Sequence, residues 1–180
     1  MVEKIIAAGS GGQGIMLLGK ILAEAAVREG KHVTWLPAYG PEVRGGTAHC
    51  MTVISDAEIG SPYINKADTL IIMNNPSLER FGRRVEKGGL CIINSSLAED
   101  APPVAATALR QPFTDIAIEL GNIKVANMVA LGFFVGKREI VALDSVLEVI
   151  EEIAPADKKH LVQINQQALL KGQQLALGSR

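Results

Sequence analysis

The chain has 180 residues, of which 48% are hydrophobic and 21% are charged, and its formal net charge is -1. This length suits one domain over residues 1–180, and the hydrophobic content provides for a sizeable core and excludes a disordered chain. The charge is close to neutral and the sequence has no cluster of lysine and arginine, which argues against binding to nucleic acid.

The hydrophobic pattern predicts alternating strands and helices. In the first part, strands are expected at residues 3–8 and 32–36 around a helix at 16–29, followed by a loop at 37–46. Further strands are expected at 47–54, 69–73 and 90–94, with a helix at 76–85 and a surface excursion at 98–103. The remaining helices are expected at 113–120, 125–135, 144–153 and 158–177. This order predicts an α/β fold, a three-layer α/β/α Rossmann-like domain with a mostly parallel sheet.

Helical spacing also predicts details at the side-chain level. In the first helix, Leu17, Ile21 and Ala25 fall on the apolar face, and Glu24 and Arg28 are spaced for an i,i+4 ion pair. Gly30 is expected to end that helix, and Asp144 to cap the helix at 144–153. The apolar face of the last helix is expected to contain Leu161, Ile164, Ala168 and Leu175.

The two cysteines, Cys50 and Cys91, both lie in apolar, strand-like runs. Neither belongs to a C-x-x-C pair, so we expect buried, reduced thiols and no iron–sulfur or zinc site in this chain. No apolar run reaches the roughly 18 residues of a membrane span, and no signal peptide precedes the first strand. We therefore expect a cytoplasmic protein that does not associate with membranes.

A glycine-rich segment follows the first strand and opens the first helix. Residues 9–14 read Gly-Ser-Gly-Gly-Gln-Gly, which matches G-x-G-x-x-G in the context that this motif requires. The first N–H groups of a helix lack internal partners and favour a phosphate or pyrophosphate. The candidate anion-binding residues here are Gly9, Gly11, Gly12, Gln13 and Gly14. The alternative is that the glycines only let helix and sheet pack closely.

The remainder of the dinucleotide-binding fingerprint is missing. It needs an acidic residue about 20 residues further on, which binds the ribose of NAD. The second strand ends at Leu36 and Pro37, and the first acid beyond it is Glu42, inside the loop. No basic residue stands at the strand end to favour NADP. A free-standing nicotinamide dehydrogenase is an alternative function for the chain. The missing acidic residue after the second strand argues against it.

The second unusual segment is the loop after the second strand. Residues 39–47 read Tyr-Gly-Pro-Glu-Val-Arg-Gly-Gly-Thr, at the sheet edge where open α/β sheets bind ligands. An arginine can make two hydrogen bonds to a phosphate or to a carboxylate of a partner. The candidate residues are Glu42, Arg44, Gly45, Gly46 and Thr47. On residue type alone, a solvated surface turn is the simpler interpretation.

Both segments together resemble the gamma subunits of 2-oxoacid:ferredoxin oxidoreductases, the pyruvate/ketoisovalerate oxidoreductase gamma family. The resemblance extends from about residue 4 to residue 172 and is strongest in the combination of the glycine-rich segment with Tyr-Gly-Pro-Glu-x-Arg-Gly-Gly. It includes Ile-Gly-Ser-Pro at 59–62, Val-Ala-Asn-Met-Val-Ala-Leu-Gly at 125–132 and Ile-Asn-Gln-Gln-Ala-Leu-Leu-Lys-Gly at 164–172. The sequence of residues 39–47 is most similar to that of the 2-oxoglutarate type, or of a general 2-ketoacid type such as the branched-chain enzymes.

The resemblance implies a reaction in which a 2-oxoacid, coenzyme A and oxidised ferredoxin give acyl-CoA, carbon dioxide and reduced ferredoxin. It places thiamine diphosphate, magnesium and the iron–sulfur clusters in partner subunits. Those partners are alpha and beta thiamine-binding subunits and a ferredoxin-like delta subunit, with ferredoxin as the electron acceptor. The chain itself is expected to hold no metal and no catalytic residue, and to be inactive alone.

Two hypotheses follow for the role of the chain. In the first, it helps to bind coenzyme A through the glycine-rich segment and the loop at 39–47, with Asn127 lining the same cleft. In the second, it is a purely structural subunit whose two segments are buried against the thiamine-binding chains. His32, His49 and His160 are scattered along the sequence and are interpreted as structural or solvated.

Overall fold

One mixed sheet organises the computed structural model, which describes residues 1–38, 47–100 and 106–178. Within these ranges, six strands lie in the order β2-β3-β1-β4-β5-β6. β3 runs antiparallel to both of its neighbours, and the other five strands share one direction. The strands are β1 (Val2–Ser10), β2 (His32–Pro37), β3 (Thr47–Ser55), β4 (Ala67–Ile72), β5 (Val85–Asn94) and β6 (Thr107–Gln111). The predicted mostly parallel α/β sheet is confirmed.

Helices cover both faces of this sheet. They are α1 (Ile15–Arg28), α2 (Asn75–Phe81), α3 (Phe113–Glu119), α4 (Ala126–Arg138), α5 (Leu143–Ile153) and α6 (Val162–Gly178). Alternate side chains of β1 enter different cores, as expected for a strand with a period of two. Ile5 and Ala7 join the core under α1 and α4, whereas Ile6 and Ala8 join the core under α2. The layers are therefore helix, sheet and helix.

α4 and α6 form a tightly packed pair on the first face. Every residue of α4 from Ala126 to Val135 is buried, and α6 lies across its outer side. The buried residues of α6 are Ala168, Leu169, Gly172 and Ala176. Of the four residues predicted for its apolar face, Ala168 is buried, Ile164 and Leu175 are partly buried against the same core, and Leu161 lies just before the helix. The contact is made by small residues because they let the two backbones approach closely.

Several element boundaries and side-chain details differ from the predictions. α2 ends at Phe81, and β5 begins at Val85, before its two glycines rather than after them. Leu17 is 42% exposed, not buried. Ala98, placed in a surface excursion, is buried, while residues 101–105 of that excursion lie outside the described ranges.

The charges on α1 also pair differently than predicted. Glu24 is bridged by Lys20, whereas Arg28 crosses to Glu148 and Glu152 of α5. Asp144 lies in the first turn of α5 but is not its cap, since α5 begins after Ala142 without a capping side chain. The spacing of charged residues in the sequence shows which of them can pair along one helix. It does not show whether a carboxylate on a neighbouring helix is a better partner for the same arginine.

Gly30 ends α1 as predicted. Its φ of 74° lies in the left-handed region, which glycine adopts without a steric penalty. The N–H of Gly30 donates to the carbonyl of Val27, and the N–H of Lys31 donates to that of Ala26. This is the Schellman arrangement of hydrogen bonds, which satisfies the last carbonyls of a helix.

A partly buried ion pair ties β1 to α4 at the amino end of the sheet. The Glu3 carboxylate accepts hydrogen bonds from Arg138 Nε at 2.8 Å, from Arg138 Nη2 at 2.5 Å and from Thr69 Oγ1 at 2.6 Å. The side chain of Glu3 is 7% exposed and that of Arg138 is 32% exposed. The hydrogen bonds to Glu3 raise the pKa of Arg138.

Arg138→Met is therefore expected to destabilise the chain by about 2 kcal/mol, because it leaves a buried carboxylate without its counter-ion while water reaches the site in part. Urea unfolding of the purified chain measures the change. The control is Arg28→Met, because the carboxylate partners of this arginine, Glu148 and Glu152, are 61% and 62% exposed, and the substitution should have a much smaller effect. Equal effects of the two substitutions would contradict this account of the ion pair.

Candidate functional site

The glycine loop, residues 9–14, leads from the carboxyl end of β1 into α1. Gly12 has a φ of 94° and Gly14 a φ of 71°, conformations that favour glycine. Gly14 is the N-cap of α1, where no side chain provides a capping hydrogen bond. The first helical hydrogen bond joins Leu18 N–H to the Gly14 carbonyl at 3.0 Å. The N–H groups of residues 15–17 therefore have no partner within the helix and are available to an anion.

An open cleft of about 340 Å³ adjoins this end of α1. It lies between the glycine loop, the first turn of α1 and the neighbouring ends of β2 and β3. Its lining residues are Ser10, Gly11, Gly12, Gly14, Ile15, Met16, Leu17, Ala38 and Ala48. Thr47, the first residue of β3, pairs with Ser10 of β1 at the same edge. The helix N-terminus thus faces a space large enough for part of a nucleotide.

A second, smaller cavity of about 170 Å³ lies on the other side of the loop. Gly12 lines both cavities, and the second one is also lined by Gln13, Leu97, Thr114, Ile123, Lys124 and Ala126. Lys124 places a cationic side chain beside the glycine loop. Sequence reasoning missed this lysine, although its place directly before the 125–132 motif was a usable signal.

A network of amide and hydroxyl groups connects the glycine loop to the ends of the neighbouring strands. Gln13 Oε1 accepts from Ser10 N–H at 2.7 Å, and Gln13 Nε2 donates to the Met73 carbonyl at 3.4 Å. Asn94 Nδ2 donates to the same carbonyl at 3.1 Å and to Thr114 Oγ1 at 2.9 Å. The network joins the carboxyl ends of β1, β4 and β5 to the start of α3. Its hydrogen bonds satisfy groups whose burial would otherwise be costly.

Asn74 extends the same network to α2. Its Oδ1 accepts from Ser77 N–H at 3.0 Å, and its Nδ2 donates to Ser10 Oγ. The sequence analysis did not identify Asn74, Asn94 or Thr114. Asn74 follows and Asn94 ends a predicted strand at the carboxyl edge, which is the signal that could have found these two, whereas Thr114 lies at the start of a predicted helix.

Asn127, on α4, contacts the glycine loop directly. Its Nδ2 donates to the Gly14 carbonyl at 3.1 Å, and its Oδ1 accepts from Met128 N–H at 2.9 Å. The residue is 2% exposed and is absent from the lining of both cavities. The structure therefore places Asn127 behind the loop rather than on the surface of the cleft.

The predicted site residues of the first segment converge on this edge. A Cβ at Gly12 would meet no atom of the chain within 4 Å, so packing does not require glycine there. The backbone conformation is what favours it. A Cβ at Gly9 would lie 2.7 Å from Gln13 Oε1 and 2.8 Å from Ile15 Cδ1, so close packing also explains that glycine. The side chain of Gln13 bonds to Ser10 within the loop and to the Met73 carbonyl outside it. Four predicted residues, Glu42, Arg44, Gly45 and Gly46, lie outside the described residues.

The titratable groups of the described chain offer little for nucleophilic or acid–base chemistry. Burial raises the pKa of Cys50 to about 11 and that of Cys91 to about 12, so both thiols stay protonated near neutral pH. Burial, followed by the charges of Arg80 and Arg84, lowers the pKa of His49, whose ring packs 4.7 Å from that of Phe81. Neither cavity is lined by a carboxylate, histidine or cysteine of the described ranges.

No group of three or more His, Cys, Asp or Glu side chains within residues 1–38, 47–100 and 106–178 is arranged to hold a metal ion. Among the described helices, none has the length and apolar character to cross a membrane. At this edge, the glycine loop and the first turn of α1 present N–H groups of the kind that favour an anion.

Comparison with known proteins gives matches over nearly the whole chain. The family model described as pyruvate ferredoxin/flavodoxin oxidoreductase matches residues 4–175. The chain is similar to the 2-oxoglutarate synthase subunit KorC of Methanocaldococcus jannaschii, with 33% identity over 98% of this chain and 95% of the relative. It is 42% identical to the ketoisovalerate oxidoreductase subunit VorA of Methanothermobacter marburgensis over 69% of this chain. That alignment spans only 26% of the VorA length.

Two solved structures share the fold. The gamma subunit of a keto/oxoacid ferredoxin oxidoreductase from Geobacter sulfurreducens superposes with a TM-score of 0.86 at 28% identity, covering 98% of this chain and 99% of that one. A 2-oxoglutarate:ferredoxin oxidoreductase from Magnetococcus marinus, solved with 2-oxoglutarate, coenzyme A and succinyl-CoA, superposes with a TM-score of 0.90 at 23% identity. This chain corresponds to 32% of that protein, with 99% of its own length covered.

Proposed function

This chain belongs to the pyruvate ferredoxin/flavodoxin oxidoreductase family, and from that premise we propose that it is the gamma subunit of a 2-oxoacid:ferredoxin oxidoreductase. The complex converts a 2-oxoacid, coenzyme A and oxidised ferredoxin into acyl-CoA, carbon dioxide and reduced ferredoxin. Similarity to KorC over nearly the full length of both chains supports the subunit assignment. The substrate is 2-oxoglutarate or a branched-chain 2-oxoacid, in line with the names of the relatives.

The decarboxylation and electron-transfer chemistry belongs to companion subunits in this proposal. Alpha and beta subunits bind thiamine diphosphate and magnesium, and a ferredoxin-like delta subunit carries iron–sulfur clusters that reduce ferredoxin in the cytoplasm. The cysteine content supports that division, because this chain has two cysteines, Cys50 and Cys91, whereas a cluster is held by about four cysteine thiolates. The described residues also lack a metal-binding group of side chains.

This chain contributes part of the coenzyme A site. The observation behind this assignment is the cleft at the N-terminus of α1, where unpartnered N–H groups meet a glycine loop with Lys124 on its far side. Of the three reactants, coenzyme A is the one that contains a pyrophosphate, the group that such a helix end favours. The residues of the chain bind and orient this anion. The thiol that coenzyme A supplies then reaches the thiamine site of a companion.

Arg44→Ala and Lys124→Ala are each expected to raise the KM for coenzyme A about tenfold in the assembled complex, since a hydrogen bond to a charged group contributes about 1.5–3 kcal/mol. The KM for the oxoacid should not change, because its contacts lie in other chains. Steady-state kinetics with each substrate varied in turn measure both constants. Lys66→Ala is the control, since this exposed lysine precedes β4 at the opposite edge of the sheet.

The same variants test the alternative of a purely structural subunit. If the two segments only hold the companions, Arg44→Ala should reduce the yield of assembled complex, as measured by gel filtration. The complex that does form would then keep the wild-type KM for coenzyme A. That result would exclude the proposed coenzyme A site and leave the subunit assignment intact.

A further inference from the structure

We propose that Asn127 is a positioning residue for the anion cleft, which aims the N–H of Ile15 at the ligand without touching the ligand itself. This inference rests on the proposed function, because it concerns how the same cleft is held in shape. It departs from the sequence-based expectation that Asn127 lines the cleft. Two observations underlie it: the hydrogen bonds of the amide, and the conformation of Gly14.

The amide of Asn127 is engaged at both ends on the inner side of the loop. Nδ2 donates to the Gly14 carbonyl at 3.1 Å, and Oδ1 accepts from the N–H of Met128 at 2.9 Å. The side chain is 2% exposed, and the residues lining the two cavities do not include it. A ligand in either cavity therefore meets the backbone that Asn127 holds, not Asn127.

The contact controls the direction of a donor because a peptide group is planar. The carbonyl of Gly14 and the N–H of Ile15 belong to one peptide plane and point in opposite directions. Two donors hold that carbonyl, Leu18 N–H at 3.0 Å from within α1 and Asn127 Nδ2 from α4. Fixing the oxygen thus fixes the N–H of Ile15, a residue that lines the 340 Å³ cleft.

The contact from Asn127 adds to the helical hydrogen bond from Leu18 in holding the Gly14 carbonyl. The φ of 71° at Gly14 is one of several conformations open to glycine, so the residue itself does not hold the peptide plane in place. α4 is a suitable support, because its residues from Ala126 to Val135 are all buried. A donor on a rigid element can therefore preorganise the first N–H group of α1 before the anion arrives.

The decisive variant is Asn127→Leu, which keeps the size of the side chain and adds no charge. In the assembled complex we expect the KM for coenzyme A to rise about tenfold. The KM for the oxoacid and the kcat at saturating coenzyme A should stay within about twofold of the wild type, since the companions carry out the chemistry. A general loss of structure would instead change all three constants together. The matched control is Asn165→Leu, because Asn165 Nδ2 also donates to a backbone carbonyl, that of Leu161 directly before α6.

Lys124→Ala separates this inference from the proposed function. A raised KM for coenzyme A in both Lys124→Ala and Asn127→Leu supports the positioning role. A raised KM in Lys124→Ala with a wild-type KM in Asn127→Leu overturns the positioning role and leaves the proposed function standing. Wild-type values in both variants overturn the positioning role together with the coenzyme A site.

A second measurement covers the case in which Asn127→Leu does not fold. The full wild-type chain, labelled with nitrogen-15, is titrated with coenzyme A and followed by NMR. The backbone amide signal of Ile15 should shift more than the side-chain amide signals of Asn127. The opposite order would identify Asn127 as a ligand contact and overturn the inference.

Discussion

Gly132→Ala is expected to destabilise the chain by at least about 3 kcal/mol and to lower its unfolding midpoint by about 6–12 °C. Gly132 lies where α4 and α6 cross. A Cβ there would overlap the carbonyl oxygen of Leu169 and lie 2.8 Å from its carbonyl carbon. The obstacle is backbone, which cannot rotate away as a side chain can. The two helices must therefore separate and lose packing along their contact.

Gly172→Ala is expected to have a similar effect, since the crossing is reciprocal. A Cβ at Gly172 would overlap the Val129 carbonyl oxygen and lie 2.8 Å from the backbone nitrogen of Phe133. Gly178→Ala is the matched control on α6, where a Cβ would meet open space and should leave stability unchanged or slightly improved. The unfolding midpoints of the purified variants, measured by thermal unfolding, test these expected changes in stability. Wild-type stability in Gly132→Ala would show that the helices do not cross this closely.

Gly14→Ala is expected to raise the KM for coenzyme A by a factor between about ten and a hundred, because a hydrogen bond to a charged group contributes about 1.5–3 kcal/mol. An alanine is strained at a φ of 71°. Its Cβ would also overlap Asn127 Nδ2 and lie 2.9 Å from Asn127 Cγ. Relief of this overlap turns the peptide between residues 14 and 15, so that the Ile15 N–H no longer faces the anion.

Gly30→Ala is the control for Gly14→Ala. It imposes the same kind of backbone strain, at a φ of 74°, but a Cβ there meets open space at the other end of α1. Both variants should lose roughly 1 kcal/mol or more of stability. Only Gly14→Ala should change the KM for coenzyme A, measured in the assembled complex. Equal KM values for the two variants would mean that the glycine loop does not bind this substrate.

The glycine loop could be predicted because all of its parts are contiguous in sequence. A strand, a glycine-rich turn and a helix start within residues 2–28 bring the loop and its N–H groups to the sheet edge without help from distant residues. The same locality explains why Gly30 was correctly assigned as the end of α1. Local motifs with a definite backbone requirement are read reliably from one sequence.

The supporting residues could not be predicted in the same way. Asn94, Thr114 and Lys124 reach the loop only because β5, α3 and the turn before α4 meet β1 at one edge. Their proximity depends on the strand order, which the hydrophobic pattern leaves open. The role of Asn127 likewise depends on which side of the loop α4 approaches.

The α4–α6 contact was missed for a different reason. An apolar face predicted from hydrophobic spacing favours large side chains such as Ile164 and Leu175. These two side chains are only partly buried against the core. The residues at the crossing itself are small, because close approach of two helix backbones excludes large side chains. Hydrophobic periodicity therefore found the helix and part of its buried face, including Ala168, but not the two glycines at the crossing, Gly132 and Gly172.

The central claim is that this chain helps to bind coenzyme A while its companions carry out decarboxylation. The most direct test is release of labelled carbon dioxide from 2-oxoglutarate and from a branched-chain 2-oxoacid, each labelled at the carboxyl carbon. The purified chain, supplied with thiamine diphosphate, magnesium, coenzyme A and ferredoxin, should release none, and adding the companion subunits should start turnover. Release of carbon dioxide by the chain alone would contradict the claim.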